Sequence, residues 1–453
     1  MLPRDPSGPT DPLVVELRQG GPLGAPELCA RLGLSQPVFS RRVKLRRDSI
    51  LTAGKARATR YAARRSIEGV GDRAPIYEVS DRGTIRRVAV LHAVAPQGFY
   101  VEALVDDLQG GFFADLPYFL DGLRPDGFLG RRVPMQHPEL NVPADVRHWS
   151  ADHCLRYFAH LGWDLPGSFI VGDDALHRFQ RHATEPPEVV PEAGRAAAYP
   201  RLAGRALGDV PAGSSAGGEH PKFLAWRDPG AAAVLVKFSP PRSGDVSRRI
   251  ADLLVCEHLA HITLAAHGRP PVRSELVLAE ARVFLEVERF DRLPDAGRRG
   301  VVSLLALDAE FLGRFRSWSD SAQELAAMGA IPDSSVIDVR WLELFGQLIA
   351  NSDMHHGNLS FFTQGTQVLS VAPAYDMLPM LYVPVAGELS ERRFEPPLPS
   401  SDDAPIFAAV VAAALDFWSA VAVHSQITPE FREIAAGNAE RVAAALRRFD
   451  PPG

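Results

Sequence analysis

The chain has 453 residues, 46% of them hydrophobic and 23% charged, and a formal net charge of −6. At roughly 150 residues per domain this is enough for about three domains with substantial cores, and it excludes a disordered, collagen-like or disulfide-stapled chain. Its three cysteines (Cys29, Cys154 and Cys256) are too few and too scattered for a four-cysteine zinc site and fit a reducing compartment.

The N-terminus, MLPRDPSGPTDP, lacks the apolar run of a signal peptide. Residues 12–20 predict a helix stopped by Gly20 and Gly21. Pro26 opens a second, with Leu28, Cys29 and Leu32 at helical spacing and Gly33 as its stop. Ser35 then caps QPVFSRRVKLRR, whose apolar side is expected to be Val38, Val43 and Leu45. Ile50-Leu51, a turn at Gly54-Lys55 and Ala58–Tyr61 predict a hairpin.

The segment 41–65 holds ten basic residues and a single acid, Asp48, a net +9 that leaves −15 on the remaining 428 residues. A single-sign block of this kind points to a local anionic partner. Two short helices followed by a basic hairpin resemble a winged helix-turn-helix DNA-binding domain. That resemblance makes Ser35, Gln36, Ser40, Arg41, Arg42, Lys44 and Arg46 on the recognition helix, with Lys55, Arg57 and Arg60 on the wing, the candidate DNA contacts. The competing reading is a solvated basic face.

From 68 to about 165, alternating valine- and tyrosine-bearing runs predict strands turning at Asp81-Arg82-Gly83, and ADHCLRYFAHLG predicts a helix. The Pro-, Ala- and Gly-rich stretch 184–213 is expected to be a long surface loop. Ile406–Val423 is apolar but interrupted by Asp416, and is read as a buried helix of a soluble cytoplasmic chain with no membrane partner. Thr428-Pro429-Glu430 opens the last helix, and His258, His261 and His267 are read as ordinary helix residues rather than metal ligands.

Three segments carry chemistry together. The glycine-rich run 213–222 precedes the strand AAAVLVKFSP, which places Lys237 among apolar neighbours, where a cation needs an anionic partner. Asp252 and Glu257 are the nearest carboxylates in sequence, and neither has the expected spacing. An apolar helix then runs into NSDMHHGN, in which Asp353 and Asn358 have the D-x4-N spacing of a kinase catalytic loop. Asp376 follows a further strand, where kinases place a second metal-binding aspartate.

VERFDR (287–292), NSDMHHGN (351–358) and APAYD (372–376) resemble the signatures of the HipA family, bacterial Ser/Thr kinases of toxin–antitoxin systems, and the fused helix-turn-helix is similar to the YjjJ branch of that family. The resemblance implies an α+β chain: a winged helix at 1–67, an α/β N-terminal lobe at 68–243, and a helical C-terminal lobe at 244–453. It implies ATP and Mg²⁺ as cofactors, with Asp353 as catalytic base and Asn358 and Asp376 on magnesium. Lys237, Glu288, Phe290, Asp291, His355 and Tyr375 would hold ATP, and Ser215 or its neighbour Ser214 would be autophosphorylated. The implied partners are operator-like DNA, a protein substrate such as a translation factor or aminoacyl-tRNA synthetase, and a second copy in a homodimer. Two alternatives stand beside the kinase: a DNA-bound metal-dependent nuclease using His355-His356, and a non-catalytic nucleotide-sensing regulator.

Overall fold

A computed structural model describes residues 11–184, 189–208, 220–228, 232–270 and 272–449. Ser214, Ser215 and most of the glycine-rich run lie outside these residues.

The N-terminal unit forms where the sequence punctuates it. Helix α1 (Pro12–Gly20) starts at Asp11, whose carboxylate accepts from the Leu13 N–H at 3.0 Å. Helix α2 (Ala25–Leu32) ends at Gly33, which takes the left-handed φ of +62° that glycine tolerates. Helix α3 (Gln36–Leu45) follows Ser35, which makes no side-chain cap bond. Strands β1 (Leu23–Gly24), β2 (Ile50–Ala53) and β3 (Arg60–Ala63) form a small antiparallel sheet in the order β1-β3-β2.

The inward face of α3 differs from the expected one. Val38 and Leu45 are exposed, and Phe39 is fully buried against Tyr61, ring centroids 4.9 Å apart. Neighbouring helix residues project about 100° apart, so seating Phe39 inward turns Val38 out, while Val43 at i+4 stays on the buried side.

The basic block is likewise not one free surface. Arg64 reaches Asp72 at 3.5 Å and His92 at 2.9 Å. Arg65 reaches Asp152 at 2.5 Å and the Val94 carbonyl at 2.9 Å. Both arginines join the N-terminal unit to the next sheet, and Leu51 and Ala62 pack with Val94 beside them.

That sheet is antiparallel in the order β7-β6-β5-β4-β8, from β4 (Arg73–Val79), β5 (Ile85–Ala93), β6 (Phe99–Ala103), β7 (Gly111–Phe113) and β8 (Phe169–Val171). Three one-turn helices, α4 (Tyr118–Asp121), α5 (Gly127–Gly130) and α6 (Val133–Gln136), precede α7 (Ala151–Leu161) and α8 (Asp173–Thr184).

The next sheet runs β12-β13-β11-β10-β9, from β9 (Val189–Val190), β10 (Lys222–Arg227), β11 (Ala232–Phe238), β12 (Ser274–Ala279) and β13 (Arg282–Glu288). Helix α9 (Arg195–Gly208) occupies part of the expected 184–213 loop. Pro200 and Gly204 mask a helix whose Tyr199, Ala203 and Ala206 recur at helical spacing and are buried on the sheet. Arg195 fixes its start through Glu275 at 2.7 Å and Glu286 at 3.2 Å. Helix α10 (Asp245–Ala266) lies on the opposite face.

The remainder is mainly helical: α11 (Leu304–Phe311), α12 (Trp318–Ala327), α13 (Ser334–Leu348), α14 (Ala404–Val423) and α15 (Pro429–Phe449) surround a small sheet of β14 (Gly300–Ser303), β15 (Ser360–Gln364) and β16 (Gln367–Val371). Among the described residues α14 alone is long and apolar enough to cross a membrane. It buries Phe407, Phe417 and Trp418, and the Trp418 indole donates to the Leu348 carbonyl at 3.0 Å.

Candidate active site

Alternation along β11 decides where Lys237 points. Val234, Val236 and Phe238 join the core under α9, so Lys237 faces α10 on the other side of the sheet. Lys237 is 5% exposed, and its ammonium lies 2.6 Å from Glu257 of α10 and also ion-pairs with Asp376. Glu257 is therefore the partner that its spacing had seemed to disqualify. Asp252 turns away to accept from the backbone and hydroxyl of Thr428, at 2.8 and 2.6 Å.

Burial alone would lower the Lys237 pKa, but Asp376 and Glu257 reverse that and hold the ammonium charged. Burial would raise Asp376, yet Lys237 and then Lys222 outweigh it and keep its carboxyl well below the usual carboxylate range. Lys222 stands directly opposite Lys237 on β10.

The D-x4-N loop leaves α13 through Ala350, held at φ +61°. Asn351 is the strut that sequence reading misses, although it opens the NSD run. Its amide donates to the Asp376 carbonyl at 3.2 Å, and its oxygen accepts from the Asp353 N–H at 3.1 Å. Asn358 donates to the Asp353 carbonyl at 2.8 Å, closing the loop on itself. These bonds bring Asp353, Asn358 and Asp376 together, with the Asp353 carboxylate exposed. Asp376 itself sits at φ +53°, a backbone cost of the kind found at functional sites.

Tyr375 donates to the Gly357 carbonyl at 2.7 Å, lies 2.8 Å from Ser360, and stacks on Phe290 with centroids 6.0 Å apart. Burial pushes its phenol up. Glu288 ends β13 and ion-pairs with Arg227 at 3.3 Å. The two histidines part company. His355 is exposed and accepts from the Gly357 N–H at 3.1 Å, whereas His356 is buried beside Ser321 at 3.0 Å and Asp308 at 3.6 Å. A shared metal between adjacent imidazoles has no support in this arrangement.

Asp291 does not open onto the cleft. It is 6% exposed, and its carboxylate accepts from Arg289 at 3.1 Å, Arg292 at 2.8 Å and the Gly167 N–H at 2.9 Å. The motif's aspartate thereby ties β13 to the loop after α7. Asp164 joins the same network, 2.9 Å from both arginines.

Among the described residues no three His, Cys, Asp or Glu side chains cluster as metal ligands. Asn358 and Asp376 carry hard oxygen donors, a chemistry that fits magnesium better than zinc. On the N-terminal unit, Ser35, Gln36, Ser40, Arg41, Lys44, Arg46, Lys55, Arg57 and Arg60 are exposed and Arg42 is half-buried. Arg46 also pairs with Asp11 at 3.1 Å.

Comparison with known proteins finds relatives along most of the chain. Residues 70–180 match the YjjJ-like toxin middle domain, and residues 214–450 match the HipA-like C-terminal domain. The Toxin YjjJ of Escherichia coli K12 is 37% identical over 437 residues, covering 95% of this chain and 97% of that protein. The chain belongs to the HipA-like toxin family, in its YjjJ-like branch.

Family membership extends to the fold. The HipA of Shewanella oneidensis, solved with HipB and operator DNA, superposes with a TM-score of 0.50 over 82% of this chain and 97% of its own, at 16% identity. The Helicobacter pylori proinflammatory kinase CtkA matches 50% of this chain and 93% of its own at a TM-score of 0.35 and 13% identity, too distant to bear on the fold.

Proposed function

We propose that this HipA-type toxin is an ATP- and Mg²⁺-dependent serine/threonine kinase. One observation carries the reading: Lys237 is held between Glu257 and Asp376, and Asn351 joins the Asp376 backbone to that of Asp353. A strand lysine paired to a helix glutamate, with an aspartate and a D-x4-N loop beside it, is the arrangement that positions phosphates in kinases.

In this reading Lys237 holds the α- and β-phosphates and Glu257 aims it. Phe290 and Tyr375 frame the base, the main chain at Glu288 borders it, and His355 lies at the mouth. Asn358 and Asp376 would hold magnesium, which neutralises phosphate charge as it shifts toward the leaving group. Asp353 accepts the proton of the attacking serine or threonine hydroxyl. Ser214 and Ser215 are the proposed autophosphorylation sites. Asp291 serves as a structural tie instead of a nucleotide contact.

The N-terminal unit is proposed to be a winged helix that binds operator-like DNA through α3 and the β2–β3 turn, in place of a separate antitoxin. Support comes from the helix order, the exposed cations and the HipA relative's separate HipB and DNA. The proposed division is this unit followed by the two kinase lobes.

The test incubates purified protein with labelled ATP and magnesium. Transfer of label to the protein itself or to lysate proteins is expected from wild type and not from Asp353→Ala. Equal labelling by both, or by neither, overturns the kinase.

A further inference from the structure

The loop between α11 and α12 exposes a phenylalanine at two costs. Phe315 is 51% exposed, and its backbone sits at φ +47°. Ten non-glycine residues among those described have positive φ, and Phe315 is the only aromatic one. For a bulky side chain this region is a genuine outlier. Such strain persists only where surrounding structure enforces it.

The enforcement comes from beneath. Asp308, fully buried, accepts from the N–H groups of Arg314 and Phe315 at 2.9 and 3.0 Å. Its other oxygen takes the Ser321 hydroxyl at 2.5 Å and lies 3.6 Å from His356. At the far end of the loop the Trp318 indole donates to the His355 carbonyl at 3.2 Å. The Phe315 ring meets His356 edge-on, centroids 5.9 Å apart. The loop is thus fastened at both ends to the segment bearing Asp353. His356 is three residues from Asp353, so their Cα atoms are at most about 11 Å apart.

We propose that Phe315 is a specificity residue: it docks an apolar side chain of the protein substrate close to the serine or threonine that receives phosphate. This rests on the kinase reading and adds the substrate's chemistry. The flanking Arg314 and Arg316 are each 57% exposed and share one carboxylate, Glu324, at 3.0 and 3.4 Å. Two guanidinium groups against one acid leave a positive rim, so the docking segment carries an acidic residue beside its apolar one. The ring contact, the His356 side chain and the three-residue span together put the Phe315 ring at most about 20 Å from Asp353, so both residues fall within about six extended residues of the acceptor.

The test uses the full chain and two serine peptides, both with glutamate within six residues of the serine, one with leucine beside that glutamate and the other with alanine there. Asp353-dependent autophosphorylation is followed in the same samples. Wild type should favour the leucine–glutamate peptide by about ten- to a hundredfold in kcat/KM. Phe315→Ala should remove that preference through KM with kcat largely kept, and Phe315→Leu should restore most of it. A Phe315→Ala protein that keeps the preference, or loses it through kcat alone, overturns the proposal. So does a wild type that labels itself but neither peptide. A wild type that labels nothing overturns the kinase reading first and this inference with it.

Discussion

Lys237 and Glu257 meet at 2.6 Å across the gap between strand β11 and helix α10, with 5% and 1% of each residue exposed. Breaking a buried ion pair from one side strands the remaining charge, at about 3–5 kcal/mol. Lys237→Met should therefore lower the urea midpoint strongly and abolish ATP turnover. Glu257→Gln keeps a hydrogen-bond acceptor for Lys237 but loosens its aim, and misplacement on this scale costs about a hundredfold in rate. Steady-state ATP turnover beside a urea titration separates the two effects.

Asp291→Asn distinguishes a nucleotide contact from a structural tie. The two arginines it faces are half-buried, with 12% and 7% of their side chains exposed. The expected loss is about 3 kcal/mol of stability or more, read as a shifted denaturation midpoint. An unchanged midpoint with a raised KM for ATP would return Asp291 to the nucleotide site.

His261 makes stability depend on pH in a defined direction. Burial, then nearby Lys237 and His258, lower its pKa to about 3 from an ordinary 6.5. The unfolded chain therefore takes up the proton first, so this contribution is complete above pH 6.5 and declines toward pH 3. One such site gives a slope of at most about 1.4 kcal/mol per pH unit. His261→Leu should flatten the melting-temperature profile between pH 6.5 and 4. Asp376, held low, adds a loss only as pH falls through and below the ordinary carboxylate range.

The arginines of the basic block should separate into two behaviours. Replacing Arg41, Lys44 or Arg57 by alanine should weaken DNA binding and reduce the salt slope by about one each, with melting little changed. Arg65→Ala should leave the salt slope alone and lower the melting temperature, because Arg65 is bound to Asp152 and lies over the Phe99 ring at 5.2 Å. Fluorescence anisotropy on duplex DNA at several salt concentrations, with thermal melts, checks both.

Local signals carried most of the elements. Gly33, Gly162 and the Asp81-Arg82-Gly83 turn end or bend the chain where they stand, and D-x4-N is contiguous enough to be read directly. What escaped depends on partners distant in sequence. Phe39 is turned inward by Tyr61, 22 residues on, and α9 gains its stability from a sheet that swamps the breaker character of Pro200. Glu257 could not be assigned by counting, because the way α10 packs on the sheet decides which of its turns faces Lys237. The structural bonds of Asp291 were not legible because nothing in VERFDR announces Asp164 and Gly167, more than 120 residues upstream.

The joint made by Arg64 and Arg65 has a geometric outcome. A flexible tether between a DNA-binding unit and an enzyme sets only local concentration. Here the chain passes from β3 into the next sheet through ion pairs and an apolar seam, so heading is set as well as proximity. If the basic face seats on a duplex, the groove dictates the compass bearing of the site around Lys237. Two copies on half-sites one turn apart, about 34–36 Å, would face each other at an angle written into the spacing of the DNA.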